Sequence, residues 1–419
     1  MRQTVLGGTA SAIGWGVLVM VLVLSPTLGS ASSVLALALM LMLTPAAGRP
    51  GAFAEIMQAP AQLMFIGVVV VLTVAYAITA REPTDVLFFA NFLAMPLSAV
   101  VYLIARERAG RATAVLVIRL CVLGALVGLG FALFDVFVRG LERAQGLIGN
   151  ANLMPRIALT LGFVGMAGVF VDTGLRRFVY AVAPVAAIAT TFLCGSRGAA
   201  LAIPAMVLIA AIFLWQDRAT RIFVIVGGLL TAAAALAAVI YMGPTAFERF
   251  AGIANVVGDV LQTGNAGGDG PTQERLVMYQ TGLEAFGHSP WLGWGWANLG
   301  NAAAELNPAV FADQAGTAFM YHNDVVNFAV AGGVVGIACL AVLVLAPVVG
   351  AVMSPRDEWF RIRLYCCCIL GIGFAVFGLT DSTLGYDAPT TLYAFLTAMV
   401  LGAFRADVRP SAGGPAARP

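Results

Sequence analysis

Apolar runs of about 17 to 25 residues, each cut by charge, proline or glycine, recur along this chain and constrain it more than any other feature. Such a run matches one helix crossing a bilayer, where every backbone polar group must be satisfied within the segment. About twelve are legible: Ile13 to Leu28, Ser32 to Ala47, Leu63 to Ala80, Val86 to Ala105, Ala112 to Val138, Leu153 to Val171, Phe178 to Cys194, Ala199 to Trp215, Ile222 to Tyr241, Val325 to Met353, Leu364 to Leu379 and Pro389 to Phe404. With 60% apolar and 11% charged residues and a mean hydropathy of +0.93, the expected fold is an all-α polytopic membrane protein of about 12 transmembrane helices. The second run is short enough to be re-entrant. The first thirty residues share features with a cleavable leader, but a bundle follows directly and a retained first helix is expected.

The charges orient the bundle. All 23 basic residues are arginine, set against 21 acids, a near balance that does not suggest a nucleic-acid partner. With the N-terminus inside, 15 of 23 arginines fall on the cytoplasmic side, as short cytoplasmic loops require. The outer side keeps Arg81, Arg139, Arg143, Arg156, Arg197, Arg249 and Arg275, while Arg119 lies inside the fifth run and is expected to snorkel. Both termini are therefore expected in the cytoplasm. Six cysteines in or beside apolar runs show no CxxC or metal spacing and read as small buried residues.

One segment breaks the short-loop pattern: Met242 to Tyr321, on the outer side between the ninth and tenth runs. The expected organisation is helices 1–9 over residues 1–242, a periplasmic loop with short helices over 243–320, helices 10–12 over 321–405 and a disordered tail over 406–419. In the loop, Pro271 suits a first helical turn, and Leu276, Tyr279, Leu283 and Phe286 share one face of an amphipathic helix. Trp291, Trp294 and Trp296 follow as an interfacial belt would. Asp135 is the main intramembrane acid, with Arg139 one turn on as its partner.

The chemistry-bearing residues gather on that outer side. Tyr321 to Gly336, YHNDVVNFAVAGGVVG, sets His322 and Asn323 at the mouth of an apolar helix, with Gly333 and Gly336 placed to let another helix approach closely. Alone, His322 would read as a polar helix end. Arg197, in the turn GSRGAA, has no nearby acid in sequence, and a guanidinium suits phosphate oxygens. Arg275 has Glu274 beside it and would alone read as a solvated charge. His288 reads as a loop histidine, and Asp324 faces away from His322 unless a helix starts at that aspartate. No Asp or His spacing suggests a metal site.

Histidine, Asn, nine residues and GxxG together resemble the signature of the bacterial O-antigen ligase family, within the O-antigen ligase and polymerase superfamily. Arg197 in its SRGA turn, Arg275 on the loop helix, GLEAFGHSPWLGWGWANLG and RAQGLIGNANLMPRIALT resemble family segments in order and rough spacing. The resemblance covers most of Arg139 to Gly336.

It implies an inner-membrane glycosyltransferase that moves a glycan from undecaprenyl diphosphate to a sugar hydroxyl of the lipid A core, on the periplasmic side. No metal, nucleotide or other cofactor is implied. His322 would be the general base; Arg197 and Arg275 would stabilise the leaving diphosphate. Arg139, Arg143, Arg156, Arg249 and Asn323 are candidate substrate-binding residues. Attack opposite the diphosphate predicts inversion. The nearest rival is an O-antigen polymerase, associated with an RX10G pattern that no outer-side arginine here fulfils. A transporter or flippase would instead show repeats, broken helices or midplane charges, none evident in the sequence.

Overall fold

The computed structural model describes residues 8–45, 48, 50–215, 221, 225, 228–229 and 270–406. Its helices are α1 (Gly8–Leu28), α2 (Ser30–Leu43), α3 (Ala52–Met57), α4 (Pro60–Thr79), α5 (Ala94–Glu107), α6 (Arg111–Phe137), α7 (Leu153–Gly165), α8 (Arg177–Leu193), α9 (Arg197–Ala200) and α10 (Ala202–Leu214). The later ones are α11 (Gly270–His288), α12 (Leu299–Leu306), α13 (Pro308–Phe311), α14 (Asp324–Val352), α15 (Phe360–Thr380) and α16 (Asp387–Ala403). Among the described residues seven helical segments are long and apolar enough to cross a membrane; α2, α8 and the Ala12–Leu28 part of α1 are shorter apolar helices. The expected ninth span, the first part of the loop over residues 243–269 with Arg249, and the tail from Asp407 lie outside the described residues.

All of α7, and α16 beyond its first residue, are buried, so these two helices form the axis of the bundle. A hydroxyl on this axis can be satisfied within its own helix: Thr160 Oγ1 donates to the Arg156 carbonyl at 2.8 Å. Close packing uses glycine. A Cβ on Gly162 would lie 2.8 Å from the Ala183 carbonyl oxygen, and one on Gly124 would lie 2.1 Å from that of Leu22.

Contacts between loops sort the two ends of the bundle. At one end Ser30 Oγ donates to Asp387 Oδ1 at 2.9 Å, and Arg143 Nε donates to the Cys194 carbonyl at 2.8 Å. At the opposite end Arg111 Nη2 donates to the Val171 carbonyl at 3.0 Å and Arg405 Nη2 to the Tyr102 hydroxyl at 3.1 Å. Each end joins segments that the arginine count assigns to a single side. Arg119 is exposed and reaches Tyr180, whose hydroxyl donates to Asp172 Oδ2 at 2.8 Å.

Four sequence expectations are corrected. Gly333 and Gly336 do not form a face for a neighbouring helix. Gly333 adopts φ 60° and ψ −146°, which interrupts α14 about three turns from its start, and a Cβ there would lie 2.4 Å from the Trp291 carbonyl carbon. The loop backbone enters the break: Trp294 and Gly295 amides donate to the Val330 and Ala331 carbonyls at 2.8 and 2.9 Å, and the Val334 amide donates to Pro290 at 2.8 Å. Polar groups freed by the break are thus satisfied inside the protein, as the bilayer demands. A broken helix, taken as absent from the sequence, is therefore present.

The tryptophans do not form one belt. Trp291 is exposed, but Trp296 is buried edge-on against Phe92 and Phe328 at ring-centre distances of 5.0 and 5.2 Å. On α11 the buried residues are Thr281, Gly282 and Ala285, whereas Leu283 is 72% exposed, so the expected apolar face is displaced. The reason is proximity. A Cβ on Gly282 would lie 2.3 Å from Val326 Cγ1, so small residues, not large apolar ones, seat α11 on α14.

Candidate active site

His322 stands immediately before α14 and is held from several directions. Asn323 caps the helix: its Oδ1 accepts from the Val325 and Val326 amides at 2.8 and 3.3 Å, and its Nδ2 donates to the Leu379 carbonyl of α15 at 3.0 Å. Asn followed by Asp is a strong helix start, because the cap oxygen and a first-turn carboxylate both answer unpaired amides. The Tyr279 hydroxyl of α11 donates to the His322 carbonyl at 3.1 Å. Burial, opposed by the Arg275 charge and by Asn323, keeps the Tyr279 hydroxyl above its ordinary pKa and therefore a donor. With φ 51°, His322 is the one non-glycine residue at positive φ among the described residues. That backbone costs on the order of 1–3 kcal/mol.

The partner of the ring comes from 59 residues downstream. Asp381 follows α15 in the turn to α16, and its Oδ1 lies 2.5 Å from His322 Nδ1. Its Oδ2 accepts from Arg156 Nη2 of α7 at 2.6 Å. Burial pushes the Asp381 carboxyl up, but the His322 hydrogen bond and the Arg156 charge outweigh it and hold the group well below the ordinary carboxylate range. Arg156 and Asp381 are nearly enclosed, while the His322 side chain is 44% exposed. The buried pair is a fixed base; the imidazole faces outward from it.

The first turn of α14 cradles the turn that carries Asp381. Asp324 Oδ1 and Oδ2 accept from the Thr383 and Leu384 amides at 2.8 and 3.0 Å, and Asn327 Nδ2 donates to Ser382 Oγ at 2.8 Å. The helix does start at Asp324, yet this carboxylate serves the turn, not the histidine. A Cβ on Gly378 would lie 2.6 Å from Asp324 Oδ2, so only glycine allows α15 so close.

A cavity of about 780 Å³ opens over the site and is lined by Arg156, His322, Asp381, Asn152, Glu274 and Tyr386, among others. Arg197 and Arg275 are not among the described residues lining it. Arg275 lies on α11 one turn before Tyr279 and two residues after Gln273, which does line the cavity. Arg197 begins α9, and the next residue, Gly198, packs on Thr380: a Cβ there would lie 2.7 Å from Thr380 Oγ1, beside Asp381.

Two of the candidate substrate-binding arginines make contacts within the protein. Arg143 Nε holds the Cys194 carbonyl at 2.8 Å and Nη2 holds Asn152 Oδ1 at 3.2 Å, locking two outer turns together. Arg139 pairs with Asp135 at 2.8 Å, as its spacing suggests, while Asp135 Oδ2 also accepts from the Gln145 and Gly146 amides at 2.9 and 2.7 Å. Arg156 belongs to the site through Asp381. His288 lines a separate open cavity with Arg81 and Trp294.

Sequence reasoning missed Asp381. The available signal was LTDSTLG: an acid at the end of the eleventh apolar run, assigned to the outer side by the same count that places His322 there.

With this geometry in view, residues 182–341 match the model of the family described as O-antigen ligase. That segment belongs to the O-antigen ligase family. The match includes Arg197, Arg275 and His322, and it ends before Asp381. Among curated proteins none matches the chain. An O-antigen ligase or polymerase-like membrane enzyme is what the family match supports for this chain.

Proposed function

We propose that the protein is an inner-membrane O-antigen ligase that transfers glycan from undecaprenyl diphosphate to a sugar hydroxyl of the lipid A core at the periplasmic face. The observation that carries this reading is the His322–Asp381 pair at the wall of a cavity large enough for sugar units. Asp381 accepts from Nδ1–H and so selects the tautomer whose Nε2 lone pair faces outward. Nε2 takes the proton of the acceptor hydroxyl as its oxygen attacks the anomeric carbon. The bond from that carbon to the lipid diphosphate breaks with inversion, and the diphosphate departs with the electron pair.

The cavity's own charges divide the substrates. Glu274 and Asp313 join the amides of Asn150, Asn152 and Gln273 in its lining, a set that hydrogen-bonds hydroxyls and repels phosphate. Arg156 is already neutralised by Asp381. The sugars therefore occupy the cavity, and the diphosphate lies at its margin, where Arg197 and Arg275 stabilise the developing charge.

Purified wild type and Asp381→Asn, His322→Ala and Arg197→Ala variants are assayed with lipid-diphosphate glycan and rough lipopolysaccharide, in EDTA and without nucleotide. Wild type should build the larger lipopolysaccharide. Folded His322→Ala and Asp381→Asn should lose turnover with donor KM little changed, whereas Arg197→Ala should also weaken donor binding. Elongation of lipid-linked glycan in place of lipopolysaccharide would transfer the proposal to the polymerase; full activity of the His322 variant would end it.

A further inference from the structure

The end of the bundle opposite His322 holds a second cavity, of about 460 Å³, between the ends of α3, α5, α14 and α16. Three guanidiniums line it, from Arg106, Arg356 and Arg405, against one carboxylate, Glu55. Three positive charges against one negative leave an excess of two. Neutralisation within the protein is weak. Arg106 Nε lies 3.8 Å from Glu55 Oε2, Arg356 stacks 3.9 Å over the Phe360 ring, and Arg405 donates to the Tyr102 hydroxyl and the Leu401 carbonyl at 3.1 and 3.3 Å. The nearby Asp357 is taken by Arg363 at 2.8 Å. Burial lowers the Arg405 pKa; Tyr102 opposes it, the charges of Arg106 and Arg363 add to the lowering, and Asp357 opposes it least. An anion seated there would relieve that repulsion.

The surroundings choose the kind of anion. Met353, which lines the cavity, is 67% exposed, and Phe53 and Met57 of α3, the helix that carries Glu55, are 75% and 52% exposed. Guanidiniums inside and apolar side chains at the edge match an amphiphile whose head carries phosphate and whose chains lie in the bilayer.

We propose that this cavity binds the phosphodiester headgroup of an anionic phospholipid and thereby ties the ends of α5, α14 and α16 together. Arginines that merely obey the topological bias would point separately to the membrane surface; these three line one cavity. The site is independent of the glycosyltransferase reading.

The test is native mass spectrometry of the full-length protein, delipidated in detergent and titrated with phosphatidylglycerol or phosphatidylcholine. Wild type should retain phosphatidylglycerol with about a tenfold preference. Arg106→Gln combined with Arg356→Gln should abolish the preference, while Arg176→Gln, exposed at the same end but outside the cavity, should keep it. Should the double variant not fold, Arg356→Gln alone carries the comparison, with a smaller loss expected. Equal retention of both lipids, or equal loss in the Arg176 variant, would overturn the site. Displacement of phosphatidylglycerol by 10 mM inorganic phosphate would overturn the lipid assignment; persistence supports it.

Discussion

The two ends of the bundle use arginine in opposite ways. At the His322 end Arg156 is buried, bonded at 2.6 Å to Asp381, and its charge is spent on keeping a carboxylate ionised beneath an imidazole. At the other end Arg106, Arg356 and Arg405 surround a cavity that holds a single carboxylate. The first arrangement fixes geometry and leaves no charge for a phosphate; the second leaves charge in excess of its partners. Counting arginines per side therefore does not reveal what each guanidinium does. That depends on whether a carboxylate from another helix reaches it.

The difference can be broken at graded cost. His322→Ala should reduce transfer by roughly 10²–10⁴-fold, the range for a lost general base, in a protein that still melts like wild type. Asp381→Asn should fall in the same range, because the ring loses the partner that sets its tautomer.

Asp381→Ala should be worse for the fold. It strands a buried guanidinium, a loss of about 3–5 kcal/mol, and combining it with Arg156→Met should recover much of the loss in thermal melting. Gly333→Ala should lower the melting temperature by the equivalent of about 1–3 kcal/mol, since the strained φ is kept while Cβ meets the Trp291 backbone.

Arg156→Met sharpens the comparison through pH. Asp381 is depressed in the folded protein, so its pairing stabilises at every pH above the ordinary carboxylate range and is lost only as pH falls below it. Removing Arg156 leaves burial opposed by His322 alone, so the carboxyl shifts upward. The acid limb of the activity profile should then move to higher pH; an unmoved limb in a folded variant would refute the role given to Arg156. Smallest of all, Arg139→Ala should cost within about 1 kcal/mol, because that guanidinium is 41% exposed and solvent screens its pairing with Asp135.

Much of the site was legible. His322 and Asn323 are a local signal: a cap pair at the mouth of an apolar run, followed nine residues later by GxxG. Arg139 finding Asp135 needed only the helical repeat. Asp381 was not read because its meaning depends on the turn after α15 folding back onto the first turn of α14, through Asp324 and Asn327. Leu283 was misread for a related reason. Helical periodicity ranks faces by apolar size, but α11 sits so close to α14 that a Cβ at Gly282 would meet Val326.

By itself the sequence determined an all-helical membrane bundle and which of its loops share an end. Run length, charge bias and capping are local quantities, and a bilayer leaves few alternatives for such runs. The tertiary structure decided that His322 rests on Asp381 and Arg156, that Arg143 joins the turns of Cys194 and Asn152, and that Gly333 opens a helix to receive the Pro290–Gly295 backbone. Each of these depends on which helix ends become neighbours, and no local periodicity carries that information.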